Sequence, residues 1–245
     1  MRRLSVLGTC GAWPEAGRGA SGFLLEYEGF RLVLDLGYAT LPRLLEHCAA
    51  ADVDAVVVTH EHPDHCADLS ALCRALTFGE RRSGLVPLYC TPGVVRRVQA
   101  MEPTEDLLDV FAVHPLPGSY RVGPFQLDGV LLPHHVPHAG LRLTAPGLTL
   151  AYSGDAGPAP ALARLAAGAD LFIAGATLQG ARSDDGDPHL MSASDAGTWA
   201  GRAGAERLLL THFWPGSNRE RSIAEARSAF SGDVVAADEG MTLPL

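Results

Sequence analysis

The pattern of apolar runs and turns along the chain predicts where its strands lie. A strand is expected near residues 4–7, followed by a hairpin at residues 23–27 and 30–36 with a Glu28-Gly29 turn. Branched apolar residues alternate in that hairpin, which favours strands. The run 53–58 is almost continuously apolar, which is typical of a strand buried on both faces.

The segments between the strands carry helical patterns. A short amphipathic helix is predicted at residues 41–50 and a second helix at about 64–78. A third is predicted with Ser192 or Ser194 as its N-cap and with a body that extends to about Ala203. Strands that alternate with helices predict an α/β protein.

The second half of the chain repeats the pattern of the first. A hairpin that begins at Gly22 and turns at Gly29 is matched by one that begins at Gly140 and turns at Gly147, with the same seven-residue interval. Each hairpin ends near an aspartate with a glycine shortly after it, and these two residues are Asp35 and Asp155. We interpret the repetition as an internal duplication.

The two halves are predicted to belong to one domain of residues 1–245. Pro115, Pro117 and Gly118 mark a turn that divides the chain into halves of about 1–118 and 119–245. No long polar linker separates them, and 47% hydrophobic residues suffice for one well-buried core. Two sheets placed face to face with helices outside would be the expected arrangement.

Composition excludes several classes of function. The formal net charge is −9, and all 19 basic residues are arginine. Without lysine there is no Schiff-base, P-loop-lysine or lysine-base chemistry. An acidic chain also disfavours a large nucleic acid as partner, since phosphates need a positive field. A small anionic substrate remains compatible, because bound divalent cations would dominate the local field.

Cysteine usage and hydropathy indicate the compartment. The five cysteines are scattered and include no C-x-x-C pair, which fits a reducing environment. The apolar run after Arg2-Arg3 is too short for a signal peptide, and no stretch reaches membrane-spanning length. The expected location is the cytoplasm. A homodimer is compatible with the sequence, which does not decide the oligomeric state.

Metal-binding side chains follow four of the apolar runs. Seven of them are candidate ligands, and they are His60, His62, Asp64, His65, His134, Asp155 and His212. Open α/β sheets build their sites where strands end. Imidazole and carboxylate suit zinc, manganese or iron, and the absence of thiolates at these positions disfavours a closed structural zinc site. Seven donors are enough for two divalent ions, with Zn²⁺ favoured and Mn²⁺ or Fe²⁺ as alternatives.

Spacing supports a shared role for the first cluster. Residues two apart in an extended segment point the same way, so His60 and His62 can bind one ion together. Pro63 bends the chain, so Asp64 and His65 can face a second ion. In the second half His134, His135 and His138 compete for one ligand position.

The order His60-x-His62-x-Asp64-His65, then His134, Ser153-Gly154-Asp155 and Thr211-His212, resembles the metallo-β-lactamase superfamily, in particular small bacterial hydrolases similar to the ribonuclease Z and phosphodiesterase branch. The resemblance covers the chain from the Gly8-Thr9 turn to His212. It implies a four-layer αββα sandwich built from the two pseudo-duplicated halves.

The resemblance also implies a binuclear metal site. His60, His62 and His134 would hold one ion, Asp64, His65 and His212 the other, and Asp155 would bridge them. His134 is chosen because it directly follows its strand and lies six residues before Gly140, while His135 is expected to point away. His138 is expected either to face the cleft or to lie in solvent.

Two residues receive catalytic roles from the same resemblance. Asp64 could orient a metal-bridging hydroxide besides binding metal, and His189 lies where a family histidine donates a proton to the leaving oxygen. The alternative for His189 is a solvent-exposed residue before a helix.

The resulting expectation is a phosphodiesterase for a small or cyclic phosphodiester. Alternatives are a lactone, thioester or carboxylic ester hydrolase, and a non-catalytic metal-containing binding protein. Transfer-RNA processing is disfavoured by the charge, by the absence of lysine, and by the lack of a long glycine- and proline-rich arm between Asp155 and His212. The acidic segment 182–187 in that interval is predicted to be a surface loop.

Overall fold

A computed structural model describes residues 1–79, 83–102, 105–180 and 188–245. The chain packs into two compact units. The first unit is Met1–Leu116 with Asp238–Leu245, and the second unit is Pro117–Ala237. The sequence placed its division near residue 118, and it did not anticipate that the last eight residues pack with the first half. The single domain of residues 1–245 stays a prediction.

The described residues form strands and helices in alternation. The strands are β1 (Arg2–Gly8), β2 (Gly22–Tyr27), β3 (Phe30–Leu36), β4 (Ala55–Val58), β5 (Val86–Cys90), β6 (Phe111–Pro115), β7 (Ser119–Val122), β8 (Phe125–Leu132), β9 (His138–Ala145), β10 (Leu148–Tyr152), β11 (Leu171–Gly175), β12 (Arg207–Thr211), β13 (Asp233–Ala236) and β14 (Thr242–Pro244). The α-helices are α1 (Leu41–Leu44), α2 (Pro63–Cys66), α3 (Asp68–Arg74), α4 (Pro92–Gln99), α5 (Pro160–Leu165), α6 (Ala193–Ala203) and α7 (Arg219–Arg227). The predicted α/β class is confirmed.

The first unit contains a seven-stranded mixed sheet in the order β14-β1-β2-β3-β4-β5-β6. The strands from β14 to β3 pair antiparallel, and those from β3 to β6 pair parallel. Val56 of β4, Leu72 of α3 and Val98 of α4 belong to one buried apolar cluster. Helices therefore cover one face of this sheet, which explains why Val56 and Val58 of β4 are apolar.

The second unit contains a seven-stranded sheet with the same alternation. Its order is β7-β8-β9-β10-β11-β12-β13, antiparallel as far as β10 and parallel beyond it. Leu162 of α5, Phe172 of β11 and Trp199 of α6 share its buried cluster. No helix among the described residues is long and apolar enough to cross a membrane.

Equivalent hydrogen bonds near the starts of β3 and β4 and of β10 and β11 support the predicted duplication. In the first unit, the Asp54 carboxylate accepts from the backbone N–H of Arg31 at 2.8 Å, and the Asp54 N–H donates to the Arg31 carbonyl. In the second unit, Asp170 makes both contacts with Thr149. Each aspartate directly precedes a parallel strand, so both units join their hairpin to that strand in the same way.

The other end of the same strands corrects one part of the predicted repeat. Asp35 accepts from the backbone N–H of Thr59, while in the second unit the Ser153 hydroxyl accepts from the N–H of Gly175. Asp35 and Ser153 are therefore equivalent, and Asp155 lies two residues later. The matching of Asp35 with Asp155 was wrong because the hairpins share their glycine spacing but place their carboxylates at different positions.

One predicted helix is shorter than expected, and another has its predicted extent but is not one regular α-helix. Only Leu41–Leu44 of the segment 41–50 is α-helical, because the following N–H groups of Glu46 and His47 bond three residues back and tighten the chain. The helix at 64–78 is divided into α2 and α3 and ends in a π-turn, where the Thr77 hydroxyl donates to the Cys73 carbonyl at 2.9 Å.

Helix α6 agrees with its prediction. Ser192 is the N-cap and accepts from the N–H of Asp195 at 3.1 Å, while the Asp195 carboxylate accepts from the N–H of Ser192. This reciprocal capping box fixes the start of the helix. The helix ends at Ala203 before Gly204, whose left-handed φ of 63° terminates it.

Candidate metal centre

The loop after β4 brings two histidine rings of the first unit together. His60 is buried, and its Nε2 lies 3.0 Å from Nδ1 of His62. Glu61 between them turns the other way, so that its carboxylate lies 3.6 Å from both Arg96 and Arg97 of α4. Alternation in an extended segment, as predicted from spacing, explains why the two histidines share one side.

Pro63 begins helix α2, which carries the next two predicted ligands. His65 Nε2 lies 3.5 Å from Asp64 Oδ2, and both side chains are buried. The Ala12 N–H donates to the same Asp64 oxygen at 2.7 Å. The Ser21 N–H donates to the Asp64 carbonyl at 3.0 Å. Asp64 is thus held by backbone donors before any ligand binds.

Asp35 is a functional residue that the sequence reading did not assign to the site. It is fully buried, accepts from the Thr59 N–H and hydroxyl, and lies 2.7 Å from Nδ1 of His65. Its φ of +56° is left-handed, which is costly for a residue with a side chain. The strain is consistent with a carboxylate that must reach two partners.

This network orients the two histidine rings. The Asp35 carboxylate accepts from His65 Nδ1 at 2.7 Å, and His65 Nε2 faces Asp64 at 3.5 Å. The Thr59 hydroxyl gives its proton to Asp35 and therefore accepts from His60 Nδ1 at 3.0 Å. Both histidines therefore direct Nε2 towards another candidate ligand, His62 or Asp64, and contacts of this kind fix ring orientation in metal sites.

In the second unit, strand direction explains how three distant ligands meet. Because β8 and β10 are both antiparallel to β9, they run in the same direction, and β12 is parallel to them through β11. His134, Asp155 and His212 follow the ends of these three strands. His134 Nε2 lies 3.6 Å from Asp155 Oδ2, and His212 Nδ1 lies 3.3 Å from Asp155 Oδ1. Asp155 therefore faces both histidines.

His134 and His212 also contact other residues of the second unit through Nδ1. His134 Nδ1 donates to the carbonyl of His189 at 3.1 Å, and His212 Nδ1 lies 2.8 Å from the Thr177 hydroxyl. His212 has a left-handed φ of +57°, so the backbone is strained at a predicted ligand as well as at Asp35. Gly157 is needed behind His134, because a Cβ there would lie 1.9 Å from the Pro188 carbonyl oxygen.

The remaining histidines are distributed as follows. His135 is exposed, and its ring centroid lies 4.6 Å from that of His189. His138 is fully buried at the start of β9, with its ring 5.4 Å from that of His134, so the solvent-exposed alternative for it was wrong. A histidine on an inward position of β9 is buried by the strand, which the loop reading missed. His189 is half-buried, and its catalytic role stays a prediction.

The donor set fits divalent metal ions. The seven predicted ligands all belong to histidine and aspartate groups that could hold an ion. Neither of these groups of the described residues includes a cysteine, and burial raises the pKa of Cys66 and of Cys90 to about 12. Imidazole nitrogens and carboxylate oxygens remain, which suits zinc and also manganese or iron. The identity of the metal stays a prediction.

Comparison with known proteins identifies the family. Residues 33–213 match the family described as the beta-lactamase superfamily domain. The chain belongs to the beta-lactamase superfamily.

Curated relatives match over nearly the full chain. The uncharacterized protein Rv1339 of Mycobacterium tuberculosis is 36% identical over 95% of this chain and 88% of its own length. The probable metallo-hydrolase YhfI of Bacillus subtilis is 27% identical over 97% of this chain and 98% of its own length. The ribonuclease Z of Thermobifida fusca is 29% identical over 98% of this chain and 93% of its own length. Family membership and these names support a metal-dependent hydrolase.

Solved structures confirm the fold class. The crystal structure of the metallo-β-lactamase fold protein YhfI from Bacillus subtilis has a TM-score of 0.88 and 28% identity, covering 99% of this chain and 98% of that one. The short form of human tRNase Z has a TM-score of 0.79 and 24% identity over 98% of each chain, and shows the fold alone. The predicted metallo-β-lactamase fold is thereby confirmed as the fold class.

Proposed function

We propose that the chain is a di-metal hydrolase that cleaves a small or cyclic phosphodiester. The observation that carries the proposal is that four histidine rings are oriented by contacts with neighbouring groups. His60, His65, His134 and His212 each have one ring nitrogen held by a neighbouring protein group. Such outer contacts are typical of metal ligands rather than of surface histidines.

The proposed ligands form two sets. His60, His62 and His134 hold one ion, Asp64, His65 and His212 hold the other, and Asp155 bridges them. Two divalent ions bound there would lower the pKa of a shared water towards neutrality and stabilise negative charge on a phosphoryl group. The Ala12 N–H donates to the Asp64 carboxylate at 2.7 Å and orients it.

His189 is proposed as the proton donor to the leaving oxygen. Its position is supported by the contact between its carbonyl and His134, and by helix α6, whose capping box begins three residues later. Histidine is the side chain that enzymes use most often for proton transfer in the transition state. The backbone contact ties this histidine to a proposed metal ligand.

The choice of a small phosphodiester rests on charge and on relatives. Ribonuclease Z names among the relatives, and a fold neighbour described as a diphosphatase from the PhnP family, support phosphorus chemistry. The net charge of −9 without lysine disfavours a large nucleic acid. The acidic segment 182–187, predicted to be a surface loop, lies outside the described residues.

Bis-p-nitrophenyl phosphate tests this proposal. Protein stripped by a chelator and resupplied with zinc or manganese should release p-nitrophenol, whereas the stripped protein should not. Turnover of lactones or thioesters without any turnover of phosphodiesters would replace the proposal by the ester-hydrolase alternative. No turnover of any of these substrates by metal-loaded protein would favour a binding protein.

Replacement of His189 by alanine should separate its role from metal binding. Metal content should stay unchanged, while phosphodiesters with poor leaving groups should slow by about 100-fold and those with good leaving groups much less. Rates across a series of aryl and alkyl phosphodiesters measure this difference. His47→Ala is the matched control. His47 is half-buried in the turn that follows α1, and none of its described hydrogen bonds reaches a proposed ligand. Equal slowing of all leaving groups would contradict the role.

A further inference from the structure

Glu61 is a buried carboxylate that the proposed mechanism does not use. It lies between His60 and His62 in the chain, and only 8% of the residue is exposed. Removing a carboxylate from water costs free energy unless other charges and hydrogen bonds compensate for the lost hydration. The groups around this carboxylate therefore decide what it contributes.

The Glu61 carboxylate packs against the first turn of α4. A Cβ on Gly93 would lie 1.9 Å from Glu61 Oε2 and 2.3 Å from its Cδ, so a side chain at position 93 would displace the carboxylate. The positive end of the helix dipole at this turn favours a negative charge. Thr91 is the N-cap of α4, and its side chain makes no cap hydrogen bond among the described residues. Glu61 therefore places an anion at a helix start that its own N-cap side chain does not satisfy.

Two arginines of α4 also face this carboxylate, but they make it a weak source of stability. Arg96 lies 3.6 Å from Glu61 Oε2, and Arg97 lies 3.6 Å from Oε1. The two arginine side chains are 81% and 45% exposed, so water and salt screen both ion pairs. Glu61 Oε2 has no hydrogen-bond partner in the part of the chain that the structure describes. The contacts with α4 therefore fix the position of Glu61 more than they stabilise the fold.

The backbone of the same loop is held by α2. The Cys66 thiol donates to the Glu61 carbonyl at 3.7 Å, and the His65 N–H donates to the His62 carbonyl at 3.0 Å. The side chain of Glu61 connects this loop to α4 as well. Alternate residues of an extended segment point to opposite sides, so a Glu61 side chain fixed on α4 directs both flanking histidines the other way.

We propose that Glu61 is a positioning residue for the candidate metal centre. Its carboxylate, held against the first turn of α4, fixes the loop so that His60 and His62 point towards one ion. The proposal rests on the proposed function, because it requires that these histidines bind metal. Glu61 is not itself a ligand, since its side chain turns towards Arg96 and Arg97.

Glu61→Gln keeps the size of the side chain and removes its charge. In a zinc titration against a chromophoric chelator, one binding step should weaken about tenfold, the lower end of the range for residues that orient metal ligands. Cobalt bound in place of zinc should show an altered visible absorption spectrum, which a purely structural role would leave unchanged.

Glu102→Gln is the matched control for Glu61→Gln. Glu102 is a buried carboxylate of the same unit that pairs with Arg74 at 2.7 Å, and none of its described contacts reaches the loop 60–62. The control should lower the free energy of unfolding and leave zinc affinity and the cobalt spectrum unchanged.

Gly93→Ala tests the contact with α4 without changing a charge. The added Cβ should displace the Glu61 carboxylate and weaken zinc binding about as much as Glu61→Gln does. Alanine favours a helix over glycine, so a loss of zinc affinity would not come from a weaker α4. In the Glu61→Ala background Gly93→Ala should have no further effect, because the space that the carboxylate filled is then vacant. An equal loss in both backgrounds would overturn the proposal, since the effect would not pass through Glu61.

Two further results would count against the role of Glu61 or against the proposed function. Unchanged zinc affinity in both Glu61→Gln and Gly93→Ala, or the same loss in Glu102→Gln, would overturn the positioning role. A wild-type protein that binds no zinc would contradict the proposed function instead. Amide hydrogen exchange of the metal-free protein then decides the role of Glu61. Faster exchange at His60 and His62 in Glu61→Gln would support it, and unchanged exchange would overturn it.

Discussion

Replacing Asp155 by alanine should reduce phosphodiester turnover by more than about 100-fold. Removal of a group that merely supports a metal ligand costs about 10- to 100-fold, so loss of a direct bridging ligand should exceed that range. Asp155 faces His134 at 3.6 Å and His212 at 3.3 Å, and both would lose their shared carboxylate. His62→Ala should show a comparable loss. Turnover of bis-p-nitrophenyl phosphate at saturating metal measures the effect.

Asp170→Ala is the matched control for Asp155. Asp170 is a partly buried carboxylate of the same unit and accepts from the Thr149 N–H, but its contact lies at the start of β10, opposite to the strand ends that carry the ligands. It should lower stability and retain turnover per folded molecule. Full activity in Asp155→Ala would contradict the bridging role.

Replacing Asp35 by alanine should weaken both folding and metal binding. The change leaves His65 Nδ1 and the Thr59 N–H without their acceptor in a fully buried place. Each buried polar group left unsatisfied costs about 1–3 kcal/mol. Metal affinity should fall by about 10- to 100-fold, because His65 loses the partner that fixes its tautomer. Urea unfolding and metal titration measure the two effects.

Asp54→Ala is the matched control for Asp35→Ala, because it removes a carboxylate of the first unit without affecting His65. Asp54 also accepts from a backbone N–H in the first unit, at the opposite end of β3, and none of its described hydrogen bonds reaches a histidine. It should lower the free energy of unfolding and leave metal affinity unchanged. An unchanged metal affinity in Asp35→Ala would show that the His65 contact has no part in metal binding.

The predictable part of the fold was its local pattern. Branched apolar runs gave the strands, and Ser192 marked the start of α6, because these signals lie within a few residues of the elements they define. The early end of α1 and the change to a π-turn after α3 were missed. They depend on how individual turns tighten or bond, as with the Thr77 hydroxyl, and apolar spacing does not record that.

The part of the site that could be predicted consists of the histidine and aspartate residues that directly follow strands. Strand direction in the second unit brings His134, Asp155 and His212 together, as expected for polar residues after strands that run in one direction. Asp35 was missed because its role depends on two contacts across the sheet, to Thr59 and to His65. The signal was present, since a buried aspartate at a strand end needs partners. The repeat pattern instead matched it with Asp155.

Metal stoichiometry tests the central claim most directly. Chelator-stripped protein should be resupplied with zinc or manganese, freed of unbound ions, and measured by elemental analysis. The account predicts two ions per chain, falling to one or fewer in Asp155→Ala and remaining at two in Asp170→Ala. Fewer than one ion per chain in the wild-type protein would contradict it.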